Sequence, residues 1–251
     1  MEKHPLVSVI MPCYNVERFL PFTIDSVRQQ TFADWELLIV DDASTDGTVE
    51  VLQRASDQDQ RIRWIVKPEH SGIADSRNRC IKMAQGRYLA FLDADDLWYP
   101  EKLQRQLQFM EEHDASFCYT TYQLVDEEGN ALNKTIHTAG NLDYYDYLRN
   151  TIIGCSTVMI DTDRVNKVIV PDFRTSEDTA TWLDILKQGI TAFALDEPLT
   201  AYRVRRKSAS SNKIKASYDL WKVYRKHERL SFFKTLHYFF SYAFNALKKR
   251  L

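Results

Sequence analysis

Asp41-Asp42 and Asp93-Ala94-Asp95-Asp96 are the residues of this 251-residue chain best placed to do chemistry, because each cluster follows directly on an apolar run. Carboxylates gathered at one sheet edge repel unless something positive sits among them. A hard divalent cation with oxygen ligands is the economical partner, and such a cation neutralises charge on phosphate oxygens. A third acidic pair, Glu177-Asp178, opens a helical pattern 83 residues after Asp95, where a separate element can present a general base. Each cluster also has a plainer use. Ser44-Thr45-Asp46-Gly47-Thr48 beside Asp42 can simply cap a helix, D-x-D can be a turn, and Glu177-Asp178 can complement a helix dipole. A lone D-x-D is common, but one lying between YLAFL and LWYP is more specific.

The elements that must position these groups alternate. Val7–Met11, Glu36–Val40, Arg63–Val66 and Tyr88–Leu92 are short apolar runs with the length of buried strands. Between them, Phe19, Leu20, Ile24 and Val27 share one helical face, with Pro21 tolerable only in a first turn. Val49, Val51 and Leu52 mark a second helix, and the spacing predicts a third over Ile73–Gln85, closed by Gly86 as a C′ residue. The rhythm βαβαβαβ argues for an α/β fold with a mostly parallel, helix-flanked sheet. In such sheets ligands bind beyond the strand carboxyl ends, where Asn15, Asp42 and the D-x-D all fall. Further strands are expected at Phe117–Val125, Ser156–Ile160 and Ala192–Leu195, and a helix over Asp178–Lys187.

Composition removes several alternatives. Seven glycines, and neither GxGxxG nor GxxxxGK[ST], argue against Gly-rich phosphate loops. Four dispersed cysteines without a CxxC pair point to core thiols in a reducing compartment. Histidine spacing offers no zinc site, no apolar run approaches the length of a membrane span, and the N-terminus has no secretory pattern. The net charge of −2 carries no nucleic-acid signature, yet it hides a split. Residues 1–200 hold 19 Lys and Arg against 33 Asp and Glu, whereas residues 201–251 hold 14 against 2.

In order, VSVIMPCYN, ELLIVDDASTDGT, SGIADSRNRCI, GRYLAFLDADD and TSEDTATWLDIL resemble the inverting GT-A glycosyltransferases of family 2 over about residues 5–205. FLDADDLWYPEKL and DEPLTAYR are similar to bacterial members that build cell-surface polysaccharides such as teichuronic acid, O-antigen or capsule. The resemblance implies a GT-A catalytic domain over 1–205, with a nucleotide-sugar half of about 1–100 and an acceptor half of about 101–205. Residues 206–251 are then a basic amphipathic helical extension. Pro12, Tyr14 and Asn15 match the loop that receives the nucleotide, Asp42 the aspartate on the uracil, and Arg77 the stretch beside that base. Asp93 matches the carboxylate near the ribose and Asp95 the one on Mg²⁺ or Mn²⁺; Asp178 matches the catalytic base, with Glu177 the competing candidate. The implied substrates are a nucleotide sugar, UDP-linked, and a saccharide on a polyprenyl diphosphate at the cytoplasmic membrane face. Many members carry His two residues after the Tyr-Arg pair; here Tyr202-Arg203-Val204-Arg205 puts Arg there. A third protein metal ligand is therefore in doubt, and Arg203, Arg205 or Arg206 become candidates to meet the diphosphate directly.

Two other classes use similar residues. A haloacid-dehalogenase-type phosphatase also follows a strand with D-x-D, but wants Thr or Val where Leu97 stands. A phospho-receiver module pairs an acidic doublet after its first strand with a later Asp, whereas here a strand and a helix precede Asp41-Asp42. Near the C-terminus, Phe233, Leu236, Phe240, Ala243, Phe244 and Leu247 recur at helical spacing. That stripe can pack onto the body or lie in an anionic leaflet; the basic charge favours peripheral membrane association.

Overall fold

The computed structural model describes residues 4–205 and 213–248. β1 (Val7–Cys13), β2 (Trp35–Asp41), β3 (Ile62–Val66) and β4 (Tyr88–Phe91) form a parallel sheet in the order β3-β2-β1-β4. α1 (Leu20–Arg28), α2 (Thr48–Gln58) and α3 (Ile73–Met83) make the crossovers, and Pro21 lies in the first turn of α1. Alternate residues of β1 serve opposite faces. Val7, Val9 and Met11 join one core with Leu20, Ile24 and Leu52, while Ile10 joins a second with Leu38, Val40 and Cys80. Both faces are covered, which is why β1 and β2 read as nearly unbroken apolar runs.

The second half mixes directions. β5 (Leu97–Trp98), α4 (Lys102–Glu112), β6 (Phe117–Val125), β7 (Ala131–Ile136) and α5 (Tyr144–Arg149) come first. β8 (Met159–Asp161), α6 (Glu177–Leu186) and β9 (Ala192–Arg203) follow. The sheet continues past β4 as β8-β6-β9-β5, with β7 paired to β6. β6 and β9 are parallel, whereas β8 runs antiparallel to β4 and β6. The expected parallel arrangement thus holds for the first four strands, and the whole sheet is mixed. β9 runs on to Arg203, well past Leu195, because Asp196 and Glu197 are accommodated by a register break against β6 before pairing resumes at Pro198. The four cysteines are free and buried.

Gly86 acts differently from its expected part as a C′ residue. α3 ends at Met83, and Gly86 adopts no left-handed backbone. Its need is closeness: a Cβ there would lie 2.7 Å from the Ser8 amide nitrogen, and the Gly86 N–H donates to Ser8 Oγ at 2.9 Å.

α7 (Lys213–Lys222), a π-helical turn over Val223–His227 and α8 (Phe232–Lys248) complete the described chain. α8 docks through Tyr238, Phe239 and Tyr242, which pack into the second core, and Thr235 on the same helix is fully buried. Of the stripe picked out by periodicity, Phe233, Phe240 and Phe244 face outward, so the docking alternative does not hold for these three rings, while Leu236 and Ala243 are half-buried. Arg206 and residues 249–251 lie outside the described residues.

Candidate active site

The carboxyl ends of β1, β2 and β4 open into one cleft of about 930 Å³. Its walls include Pro12, Tyr14, Asn15, Asp42, Arg77, Asp93, Asp95 and Asp178, so the structure brings every residue expected at the site to one place.

On the β2 side the acidic doublet splits its duties. Asp41 accepts from the Ser44 amide at 2.9 Å and tethers the following loop. Asp42 is buried at the cleft and accepts from the Ser71 and Gly72 amides at 2.9 and 2.8 Å, with Lys67 Nζ 2.6 Å and His70 Nδ1 2.9 Å away. Burial opposes its ionisation, but Lys67 and the two amides prevail and hold its carboxyl below the ordinary value. Gly72 allows this clasp: at φ 97° it turns the chain into α3 in a region that side chains avoid. The Tyr14 ring stacks on His70 at 4.2 Å, forming a flat aromatic rim. Asn15 is itself left-handed, and its side chain accepts from the Thr45 amide at 2.8 Å, which joins the β1 loop to the β2 loop.

On the β4 side the D-x-D carboxylates already face cations of the protein. Arg77 is buried and bridges Asp93 at 2.5 Å and Glu177 at 2.9 Å. Arg205 reaches Asp95 at 2.8 Å from just beyond β9. Burial first, then the charge of Asp93, pushes the Asp95 carboxyl upward against the pull of Arg205. Asp96 turns away from the cleft. It accepts from Ser156 Oγ at 2.6 Å and from the Arg203 amide at 2.9 Å, and Ser156 Oγ in turn accepts from the Asp93 amide at 3.0 Å. Asp96 thus fixes the backbone that aims Asp93. Arg203 spends its guanidinium on the carbonyls of Asp95 and Glu127, both at 2.7 Å, so of the two described arginines considered for the diphosphate Arg205 is the one at the acidic tip.

Glu177 and Asp178 begin α6 and diverge. Glu177 is buried and committed to Arg77; burial raises its carboxyl to about 7 although Arg77 opposes the rise. Asp178 is half-buried on the cleft wall, and its Oδ1 accepts from the Thr179 amide at 2.6 Å. Burial raises its carboxyl too, with Arg77 pulling the other way. A group with this placement and an elevated proton affinity suits a general base. Asp93 and Asp95 offer hard oxygen ligands where two guanidinium groups now balance them, a donor set that fits Mg²⁺ or Mn²⁺. Lys67, His70 and Ser156 escaped sequence reasoning, because isolated polar residues in loops carry no periodic signal.

The family model described as glycosyl transferase family 2 matches residues 8–168. The chain belongs to this family. A Bacillus subtilis relative, TuaG, whose name assigns it to teichuronic acid biosynthesis, is 49% identical over 98% of both chains. Escherichia coli WfgD, named as a UDP-Glc:α-D-GlcNAc-diphosphoundecaprenol β-1,3-glucosyltransferase, is 38% identical over 87% of this chain and 85% of its own. Among solved structures, Staphylococcus aureus TarS with UDP-GlcNAc superposes with a TM-score of 0.72 at 21% identity, covering 87% of this chain and 64% of the TarS chain. A Pyrobaculum calidifontis mannosyltransferase with GDP-Man and Mn²⁺ gives 0.68 at 20%, covering 92% of this chain and 66% of that one. This family 2 chain is therefore a glycosyltransferase with the GT-A fold, and the phosphatase and phospho-receiver readings fall.

Proposed function

We propose that this family 2 enzyme is an inverting, metal-dependent hexosyltransferase that takes its sugar from a UDP-linked donor. Its acceptor is a saccharide carried on a polyprenyl diphosphate in bacterial surface polysaccharide synthesis, acting as a peripheral protein at the cytoplasmic membrane face. The observation that carries this reading is the convergence of Asp42, Asp93, Asp95 and Asp178 on one cleft from three separate elements. The donor and acceptor class follow the activity for which WfgD is named. Residues 1–205 serve as the catalytic unit, about 1–100 gripping nucleotide and about 101–205 acceptor, with 206–251 as an extension.

The roles follow from chemistry. Transfer builds negative charge on the departing diphosphate; Asp95, with Asp93, would hold the divalent ion that supplies Lewis-acid stabilisation there. Asp42 and the Tyr14 rim, with Pro12, Asn15 and Arg77, form the nucleotide end. Asp178 takes the proton of the attacking hydroxyl on the face opposite the leaving group, so a single displacement inverts the anomeric carbon. Glu177 remains an Arg77 partner that positions Asp93. Replacing Asp178 by Asn tests the assignment. Folding and UDP binding are expected to persist while transfer falls about 10²–10⁴-fold; undiminished turnover removes Asp178 as base.

A further inference from the structure

α8 presents two apolar faces, and only one is used for docking. Thr235, Tyr238, Phe239 and Tyr242 seat the helix against the body, and Asn245 Nδ2 donates to the Arg149 carbonyl at 3.0 Å. On the other side Phe233, Phe240 and Phe244 are 81%, 64% and 68% exposed. Their spacing of seven and four residues places the three rings within about 20° of one line along the helix. Three bare phenylalanines in line on a helix already held at its back form a surface that water does not favour.

The C-terminal segment that carries this stripe is strongly basic. Residues 201–251 contain 14 Lys and Arg and only two acidic residues, Asp219 and Glu228. Both acids are buried and engaged, Asp219 with Lys222 and Thr175, Glu228 with Lys187 and Tyr144. Arg225, Lys226, Arg229 and Lys234 remain exposed. A second copy of the chain would bring basic flank against basic flank, so self-association is disfavoured. An anionic lipid surface answers both features, apolar depth for the rings and negative charge for the flanks.

We infer that the outer face of α8, through Phe233, Phe240 and Phe244, docks the enzyme on an anionic leaflet while the Tyr238 face keeps the helix fixed to the catalytic body. The inference rests on the proposed lipid-linked acceptor only for its purpose, since the binding itself needs neither donor nor acceptor. Because α8 is anchored at its back, the membrane contact also fixes how the body sits above the leaflet.

Flotation of the full chain with vesicles tests it, comparing phosphatidylcholine alone with a mixture containing about one-third phosphatidylglycerol. Binding is expected to the anionic vesicles, to weaken in high salt, and to fall at least about ten-fold in the F233S/F240S/F244S variant with an unchanged melting temperature. Lys234→Gln is expected to lower partitioning about five-fold. Equal binding of wild type and triple variant overturns the inference. So does absence of vesicle binding by the wild type, or a dimer that dissociates on triple substitution. UDP binding measured on the same triple variant separates this outcome from failure of the donor reading, because these rings lie outside the cleft.

Discussion

The guanidinium of Arg205 stands 2.8 Å from the carboxylate of Asp95, on the acid expected to hold a metal ion. The chain thus sets its own cation against the D-x-D tip, at the position where the family resemblance led to an expectation of histidine. Replacing Arg205 by Gln removes a competitor for the metal and a donor for the diphosphate. Calorimetry is expected to show Mn²⁺ alone binding a few-fold tighter, and UDP with Mn²⁺ about ten-fold weaker. Movement of both affinities in the same direction contradicts this dual use.

Arg77 is the corresponding cation for Asp93 and Glu177, and it is buried. Arg77→Met leaves two carboxylates without their partner in a desolvated place. Urea unfolding is expected to register a loss of about 3–5 kcal/mol. Adding Glu177→Gln to that variant is expected to restore part of it, since one of the stranded charges is removed.

Glu177 makes stability depend on pH. Burial lifts its carboxyl from 4.5 to about 7 in the folded protein, so the folded state binds the proton more tightly than the unfolded chain. The associated stability is present below the unfolded value and is lost as pH climbs through about 7. Urea midpoints across that window should fall for wild type and stay flatter for Glu177→Gln. An equal slope in both locates the titration elsewhere.

These relationships differ in how far the residues alone reveal them. β1, β2 and β4 are buried on both faces, so their apolar runs end visibly at Asn15, Asp42 and Asp93. The pairing of Asp95 with Arg205 spans 110 residues and rests on the course of β9, whose middle is hidden by the register break at Asp196 and Glu197. α8 shows a different limit. Its Phe and Tyr faces are both apolar, so periodicity finds the helix but does not say which face is buried; contact with α5 decides that. Gly86 likewise reads as a helix stop until the backbone of Ser8 is seen beside it.

The proposed role of Asp95 is to hold a cation that grips a nucleoside diphosphate. Calorimetric titration of UDP, with and without Mn²⁺, tests it most directly in wild type and Asp95→Ala. UDP binding is expected to require Mn²⁺ and to be lost in Asp95→Ala with the melting temperature retained. UDP binding that needs neither Mn²⁺ nor Asp95, or no nucleoside diphosphate bound at all, contradicts it.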